Sequence, residues 1–264
     1  MPKFAANLSL MFTELDFLDR FAAARDAGFD AVELLFPYAW TPEQIAERLE
    51  QSSLQLVLHN LPAGDWAAGE RGLACDPARR GQFEDSVDLA LRYARVLGVR
   101  QLHCMAGLVA PGVSPVAARA TYLANLRYAA ARMAEHGMRL LIEPINTFDM
   151  PGYFLCGSAQ AAAIIAECAA PNLFLQYDMY HMTRMEGDLP ASIRAHLPLV
   201  KHMQLADAPG RHEPGTGAID YRQLFALLDE LGYEGWIGCE YHPAGSTVDG
   251  LGWRTALVAC AVTK

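Results

Sequence analysis

The chain has 264 residues, 52% of them apolar and 19% charged, and carries a formal net charge of −9. That balance excludes a disordered or fibrous chain, because there is ample apolar material for a packed core. An acidic chain is also a poor partner for nucleic acid or an anionic membrane. No run approaches the roughly 18 uncharged apolar residues of a membrane span. The opening MPKFAANLS has no signal-peptide character, so the expected compartment is the cytoplasm.

In chain order, short apolar runs alternate with longer segments of helical periodicity. The predicted strands are Phe4–Leu8, Ala31–Phe36, Gln55–His59, Arg100–Met105, Arg139–Ile145, Leu173–Asp178, His202–Leu205 and Trp236–Glu240. The predicted helices are Asp16–Ala27, Thr41–Gln51, Pro77–Leu97, Ser114–His136, Ser158–Ala169, Asp188–His196, Asp220–Leu231 and Gly250–Val262. Thr41-Pro and Ser114-Pro read as an N-cap followed by proline in the first turn, while Gly28, Gly98, Gly137 and Gly232 read as stops. Strands alternating with helices imply parallel β-structure. Eight repeats of about 33 residues match an α/β fold of the (β/α)8 TIM barrel type, filling residues 1–264 as a single domain. Against a doubly wound dinucleotide fold, no G-x-G-x-x-G follows the first strand.

A barrel of this kind places its active site at the C-terminal strand ends. Four oxygen-bearing residues stand there: Glu143, Asp178, Gln204 and Glu240, separated by 35, 26 and 36 residues. Each step is roughly one βα repeat, so closure should bring all four to one rim. Three converging carboxylates repel unless protonated or bound to a cation. An all-oxygen set suits a hard divalent ion such as Mg²⁺ or Mn²⁺, and the lack of cysteine and histidine in it argues against structural zinc. Glu33 interrupts an apolar strand, facing the barrel interior or pairing with an arginine. The long irregular stretch Asn60–Asp76 is a candidate functional loop, and Trp66 and Phe36 are candidate pocket walls.

Other chemistries lack their residues. Only three of the 21 basic residues are lysines, and Lys201, the one internal lysine, sits at the wrong end of a strand for Schiff-base chemistry. There is no G-x-S-x-G elbow and no H-E-x-x-H. The six cysteines form no C-x-x-C pair.

The longer blocks resemble the hydroxypyruvate isomerase family of the xylose-isomerase-like barrels. They are His59-Asn-Leu-Pro-Ala-Gly-Asp-Trp-Ala-Ala-Gly-Glu-Arg71, Leu141-Ile-Glu-Pro-Ile-Asn146, Gln176-Tyr-Asp-Met-Tyr-His-Met182, Glu213-Pro-Gly-Thr-Gly217 and Gly238-Cys-Glu-Tyr241. The resemblance implies a divalent metal, Mg²⁺ before Mn²⁺, on Glu143, Asp178, Gln204 and Glu240. It implies that Glu143 and Glu240 are also the acid/base pair and that His181 binds substrate. Arg71 and His59 are the further candidates for binding a small hydroxy- or oxo-acid. The implied reaction interconverts hydroxypyruvate and 2-hydroxy-3-oxopropanoate. The 2-oxo-tetronate isomerases, which share the Gly250-Leu-Gly-Trp253 ending, and the ketose 3-epimerases are the alternatives, and a metal-dependent abasic endonuclease and a non-catalytic binding protein are rivals of other classes. The oligomeric state is left open, with a homo-oligomer compatible with the chain.

Overall fold

The structure of the protein, a computed structural model, describes residues 2–258. Eight strands form it: β1 (Lys3–Asn7), β2 (Ala31–Leu34), β3 (Gln55–Asn60), β4 (Gln101–His103), β5 (Arg139–Ile142), β6 (Leu173–Asp178), β7 (Val200–Leu205) and β8 (Trp236–Cys239). They pair in parallel in sequence order, and β8 closes on β1. The helices between and after them are α1 (Arg20–Asp26), α2 (Pro42–Gln51), α3 (Arg80–Leu97), α4 (Pro115–Ala134), α5 (Ser158–Cys168), α6 (Met179–Met185), α7 (Leu189–His196), α8 (Tyr221–Glu230) and α9 (Trp253–Val258). The predicted (β/α)8 TIM barrel is the observed fold. The end of the last predicted helix lies outside the described residues.

Local chemistry sets the element boundaries. The Thr41 hydroxyl accepts from the Gln44 N–H while the Gln44 side chain accepts from the Thr41 N–H, a capping box that starts α2. The Ser114 hydroxyl caps α4 by accepting from the Ala117 N–H, without the reciprocal bond. β5 ends before Glu143, where Pro144 has no N–H to continue the ladder. Sequence periodicity missed α6, because seven residues are too few to show a repeat.

Alternation along each strand sorts the side chains into two cores. Ala6, Val32, Leu34, Leu56, Leu140, Ile142 and Leu205 face outward and pack against the helices. Ala5, Ala31, Val57, Leu58 and Leu141, with Phe174 and Trp236, fill the barrel interior toward its N-terminal end. Val57 and Leu58 both face inward because the β2–β3 register shifts between Val32 and Glu33. Beyond this apolar plug, the interior becomes polar.

Candidate active site

Asn7, Glu33, Gln176, His202 and Gln204 are all buried inside the barrel above the apolar plug. Glu33 accepts from Asn7 Nδ2 at 2.9 Å, from Gln204 Nε2 at 2.9 Å and from His202 Nε2 at 2.6 Å. Of its two expected surroundings, the interior is the one it occupies. Gln204 also donates to Glu240, and its carbonyl oxygen accepts from Gln176 Nε2 at 2.6 Å. A metal-ligand role for Gln204 needs that oxygen. As placed, the side chain offers the carboxylates an N–H instead.

Above this layer lies a cavity of about 520 Å³, bordered by Glu143, His181, Arg211, Glu240 and His103 among others. Phe36 and Trp66 wall it, their ring centroids 5.2 Å apart. The loop carrying Trp66 crosses the β4 loop where Gly72 meets the backbone of Met105 and Gly107. A Cβ on Gly72 would lie 2.7 Å from the Met105 carbonyl oxygen, and its φ is +123°.

Glu143, Asp178 and Glu240 are buried together here. Glu143 Oε1 and Asp178 Oδ2 have no hydrogen-bond partner. With His181 they form a group whose ligand atoms lie within 4.8 Å of one another, an arrangement able to hold a cation. Asp178 is placed by its two roles, ending β6 and capping α6, where its Oδ1 accepts from the Tyr180 N–H at 2.7 Å.

Burial pushes the Glu143 carboxyl well above the usual range, and the nearby charges of Glu240 and Asp178 push the same way. Burial raises Glu240 to about 8, against the pull of Arg211. It raises Asp178 to about 6, again with Arg211 opposing. Burial would discharge Arg211 itself, but Glu240, Asp178 and Glu143 outweigh it and hold the guanidinium charged. Arg211 donates to Glu240 at 2.7 Å and lies 4.0 Å from Asp178, while its Nε is buried without a partner.

His181 is neutral, its pKa driven well below 6.5 by burial and then by Arg211 and Arg184. Its tautomer follows from Asn146. The Asn146 carbonyl oxygen accepts from the Phe148 and Asp149 N–H groups, so its Nδ2 faces His181 Nδ1 at 2.7 Å. An amide nitrogen only donates, so the neutral ring carries its proton on Nε2. That N–H points between Asp178 Oδ2 at 3.6 Å and Glu143 Oε1 at 3.8 Å. An N–H is a donor to substrate oxygen, not a metal ligand, so of this clustered group the Glu143 and Asp178 carboxylates are the atoms left to hold a cation.

Two expected binding residues lie elsewhere. Asn60 borders the cavity, whereas His59 faces the opposite side of β3, where its ring lies 6.1 Å from that of Tyr38. The register shift at Val57 moved the inward positions from His59 to Asn60. Arg71 does not border the cavity. Its guanidinium stacks 3.9 Å over Trp66 and donates to the Trp66 and Glu70 carbonyls. Arg211 and His103 are the site residues that the sequence reading missed. His103 ends β4 as Asn60 ends β3, so the strand-end rule applied to β4 would have found it. Arg211 has a weaker signal, being the arginine two residues before the Glu213–Gly217 block.

Residues 21–257 match the family described as xylose isomerase-like TIM barrel. The chain is 48% identical to the hydroxypyruvate isomerase of Escherichia coli (strain K12), over 96% of this chain and 98% of that one. It is 49% identical to the 2-oxo-tetronate isomerase of Cupriavidus necator, over 96% and 97%. A crystal structure described as AP endonuclease, family 2, from Brucella melitensis superposes with a TM-score of 0.95 at 46% identity, covering 97% of this chain and 99% of that one. A parallel barrel with buried carboxylates at its C-terminal mouth, and near-half identity along almost its whole length, make this chain a member of the xylose isomerase-like TIM barrel family, in the branch of the hydroxypyruvate and 2-oxo-tetronate isomerases.

Proposed function

We propose that this isomerase interconverts hydroxypyruvate and 2-hydroxy-3-oxopropanoate. The observation that carries the reading is the pair of buried glutamates, Glu143 after β5 and Glu240 after β8, at one cavity and with raised proton affinity. A 1,2-proton shift needs two such groups at neighbouring carbons. One removes a proton from the hydroxymethyl carbon, and the other delivers a proton to the adjacent carbonyl carbon. The hydroxyl proton passes to the former carbonyl oxygen, which leaves the aldehyde. His181 Nε2–H donates to a substrate oxygen, and the free Nε edge of Arg211 takes the carboxylate. Phe36 and Trp66 shield the reacting carbons from water.

Glu143, Asp178 and Glu240 would hold a divalent cation, Mg²⁺ first and Mn²⁺ second, and Gln204 would join them only with its amide turned over. Such a cation supplies polarisation of the carbonyl and stabilisation of the enediolate charge. The fit rests on the unpartnered buried oxygens Glu143 Oε1 and Asp178 Oδ2, which Glu240 would join by releasing the Arg211 or Gln204 hydrogen bond that each of its oxygens now accepts. The active unit is the one barrel domain, in the cytoplasm, where the free Cys75, Cys104, Cys156, Cys168 and Cys239 suit a reducing milieu. Among the described residues no helix is long and apolar enough to cross a membrane.

The 2-oxo-tetronates are the second reading, because the proton shift is the same and the two relatives are equally close. A panel of hydroxypyruvate, 2-oxo-tetronates and ketohexoses, followed for turnover and for exchange of substrate C–H with deuterated solvent, tests the proposal. Fastest turnover of hydroxypyruvate with exchange is the expected result. Exchange-free binding or faster turnover of another substrate overturns it, as does cleavage of abasic duplex DNA without isomerase turnover.

A further inference from the structure

We propose that Glu33 is a positioning residue for this reaction, fixing the amide of Gln204 and through it the carboxylate of Glu240. The inference rests on the reading of Glu240 as one of the proton-transfer pair. Gln204 has every hydrogen-bonding group committed in one sense. Its Nε2 donates to Glu33 Oε1 at 2.9 Å and to Glu240 Oε2, and its Oε1 accepts from Gln176 at 2.6 Å. Turned over, the amide would set its carbonyl oxygen against two carboxylates. Glu33 is what makes that turn costly on the side away from the substrate.

Glu33 is itself immobilised. Asn7 on β1 and His202 on β7 donate to it from both sides, so it does not follow Glu240 when that side chain moves. β8 makes room for it. A Cβ on Gly238, two residues before Glu240, would lie 2.2–2.3 Å from the Glu33 carboxyl atoms. A residue that merely filled the barrel would be apolar, as in the adjoining interior layer of Ala5, Ala31 and Leu141. A buried carboxylate is dearer in desolvation than an apolar filler of its size. Its placement one hydrogen bond from the group that holds Glu240 gives that cost a use.

The test uses the full chain with Mn²⁺ present and compares Glu33→Met, Glu33→Gln and Gly238→Ala with the parent. Met keeps the volume and removes both acceptors. It should lower kcat about 30-fold while KM moves less than about threefold. Gln keeps one acceptor oxygen for Asn7 and Gln204 and turns its amide N–H₂ to His202, whose unpartnered Nδ1 takes the ring proton. Glu33→Gln should therefore restore kcat to within about threefold of the parent. Gly238→Ala displaces the Glu33 carboxyl and should reproduce the kcat loss, but cause no further loss when added to Glu33→Ala, which vacates the space. Mn²⁺ affinity by calorimetry should change about tenfold or more in Glu33→Met and return toward the parent in Glu33→Gln, because Glu33 orients, through Gln204, a carboxylate that would hold the cation. Parent-like kcat in folded Glu33→Met overturns the proposal, as does an equal loss in Glu33→Gln. If Glu33→Met does not fold, Gly238→Ala decides, and parent-like kcat there is fatal. Glu240→Gln runs beside them: if it turns over normally, the acid/base reading has failed, whereas a dead Glu240→Gln with a normal Glu33→Met sinks only the positioning role.

Discussion

Arg211 meets Glu240 at 2.7 Å inside the barrel mouth and reaches to 4.0 Å from Asp178, so one guanidinium serves two of the three buried carboxylates. It does so from a loop residue with φ of +57°, a conformation that a side-chain-bearing residue adopts only when its surroundings impose it. Asp207 imposes it. Its carboxylate accepts from the Ala208, Gly215 and Ile219 N–H groups, and its carbonyl accepts from the Arg211 N–H at 2.8 Å. The His242 N–H ties the Arg211 carbonyl to the β8 loop at 3.0 Å.

Because Arg211 borders the cavity and its Nε is buried without a partner, Arg211→Met should lower kcat/KM for hydroxypyruvate by about 100-fold or more, the scale of a lost charged bidentate contact. Arg71→Met, which removes the Trp66 stack and the hydrogen bonds to the Trp66 and Glu70 carbonyls, should change it less than about fivefold. Steady-state kinetics on both variants checks this, and equal losses would return the carboxylate to Arg71.

Asn146→Asp replaces the donor at His181 Nδ1 with an acceptor. The ring proton should move to Nδ1, leaving Nε2 a bare lone pair facing Glu143 and Asp178. We expect kcat to fall by about 30-fold or more, with the tautomer change visible in the ¹⁵N shifts of His181. Unchanged shifts with unchanged kcat would show that Asn146 does not set the ring.

Exhaustive chelation should remove at least about 99% of the turnover, and Mg²⁺ or Mn²⁺ should restore it. The melting temperature should fall as well, because the bound cation offsets the repulsion of three buried carboxylates. Full activity after chelation, verified by elemental analysis, would refute the metal reading.

Glu186 carries a pH-dependent share of stability. Burial pushes its carboxyl up, but hydrogen bonds from Ser158 and Ser192 outweigh this and leave it below the ordinary value. Its Oε1 accepts from the Ser158 N–H and hydroxyl, and its Oε2 from the Ser192 hydroxyl, each at 2.7 Å, which pins α5 to α7. A depressed pKa contributes stability above the unfolded-state pKa, and the contribution is lost as pH falls through the folded-state pKa. Glu186→Ala should be less stable by about 1 kcal/mol near neutral pH, a figure kept low for solvent screening. The deficit should shrink as the pH drops below the ordinary glutamate range. Urea titrations of both proteins across that range check it, and a deficit constant with pH would contradict the ionised role.

The strand-end carboxylates were readable from the chain because the signals are local. An apolar run ending at Asp178, or broken by Pro144 after Glu143, marks a strand tip without any knowledge of its neighbours. The caps at Thr41 and Ser114 are equally local. Phe36 and Trp66 were legible as walls because they follow strand ends. The repeat length then told which tips share a rim, and barrel closure did the rest.

What lay outside reach depends on contacts distant in sequence. Glu33 finds two of its three interior partners 169 and 171 residues away, and only closure of the barrel brings them together. Unbroken alternation from Val57 would turn His59 inward, but the extra residue at Val57 gives that face to Asn60. Arg211 depends on a loop folded around Asp207, and Arg71 was claimed by Trp66. Strand tips, caps and repeat length follow from periods and hydrogen bonds between near neighbours, which the chain alone contains. Which face a shifted strand presents, and which charge a loop delivers, follow from long-range packing, and these the folded barrel decided.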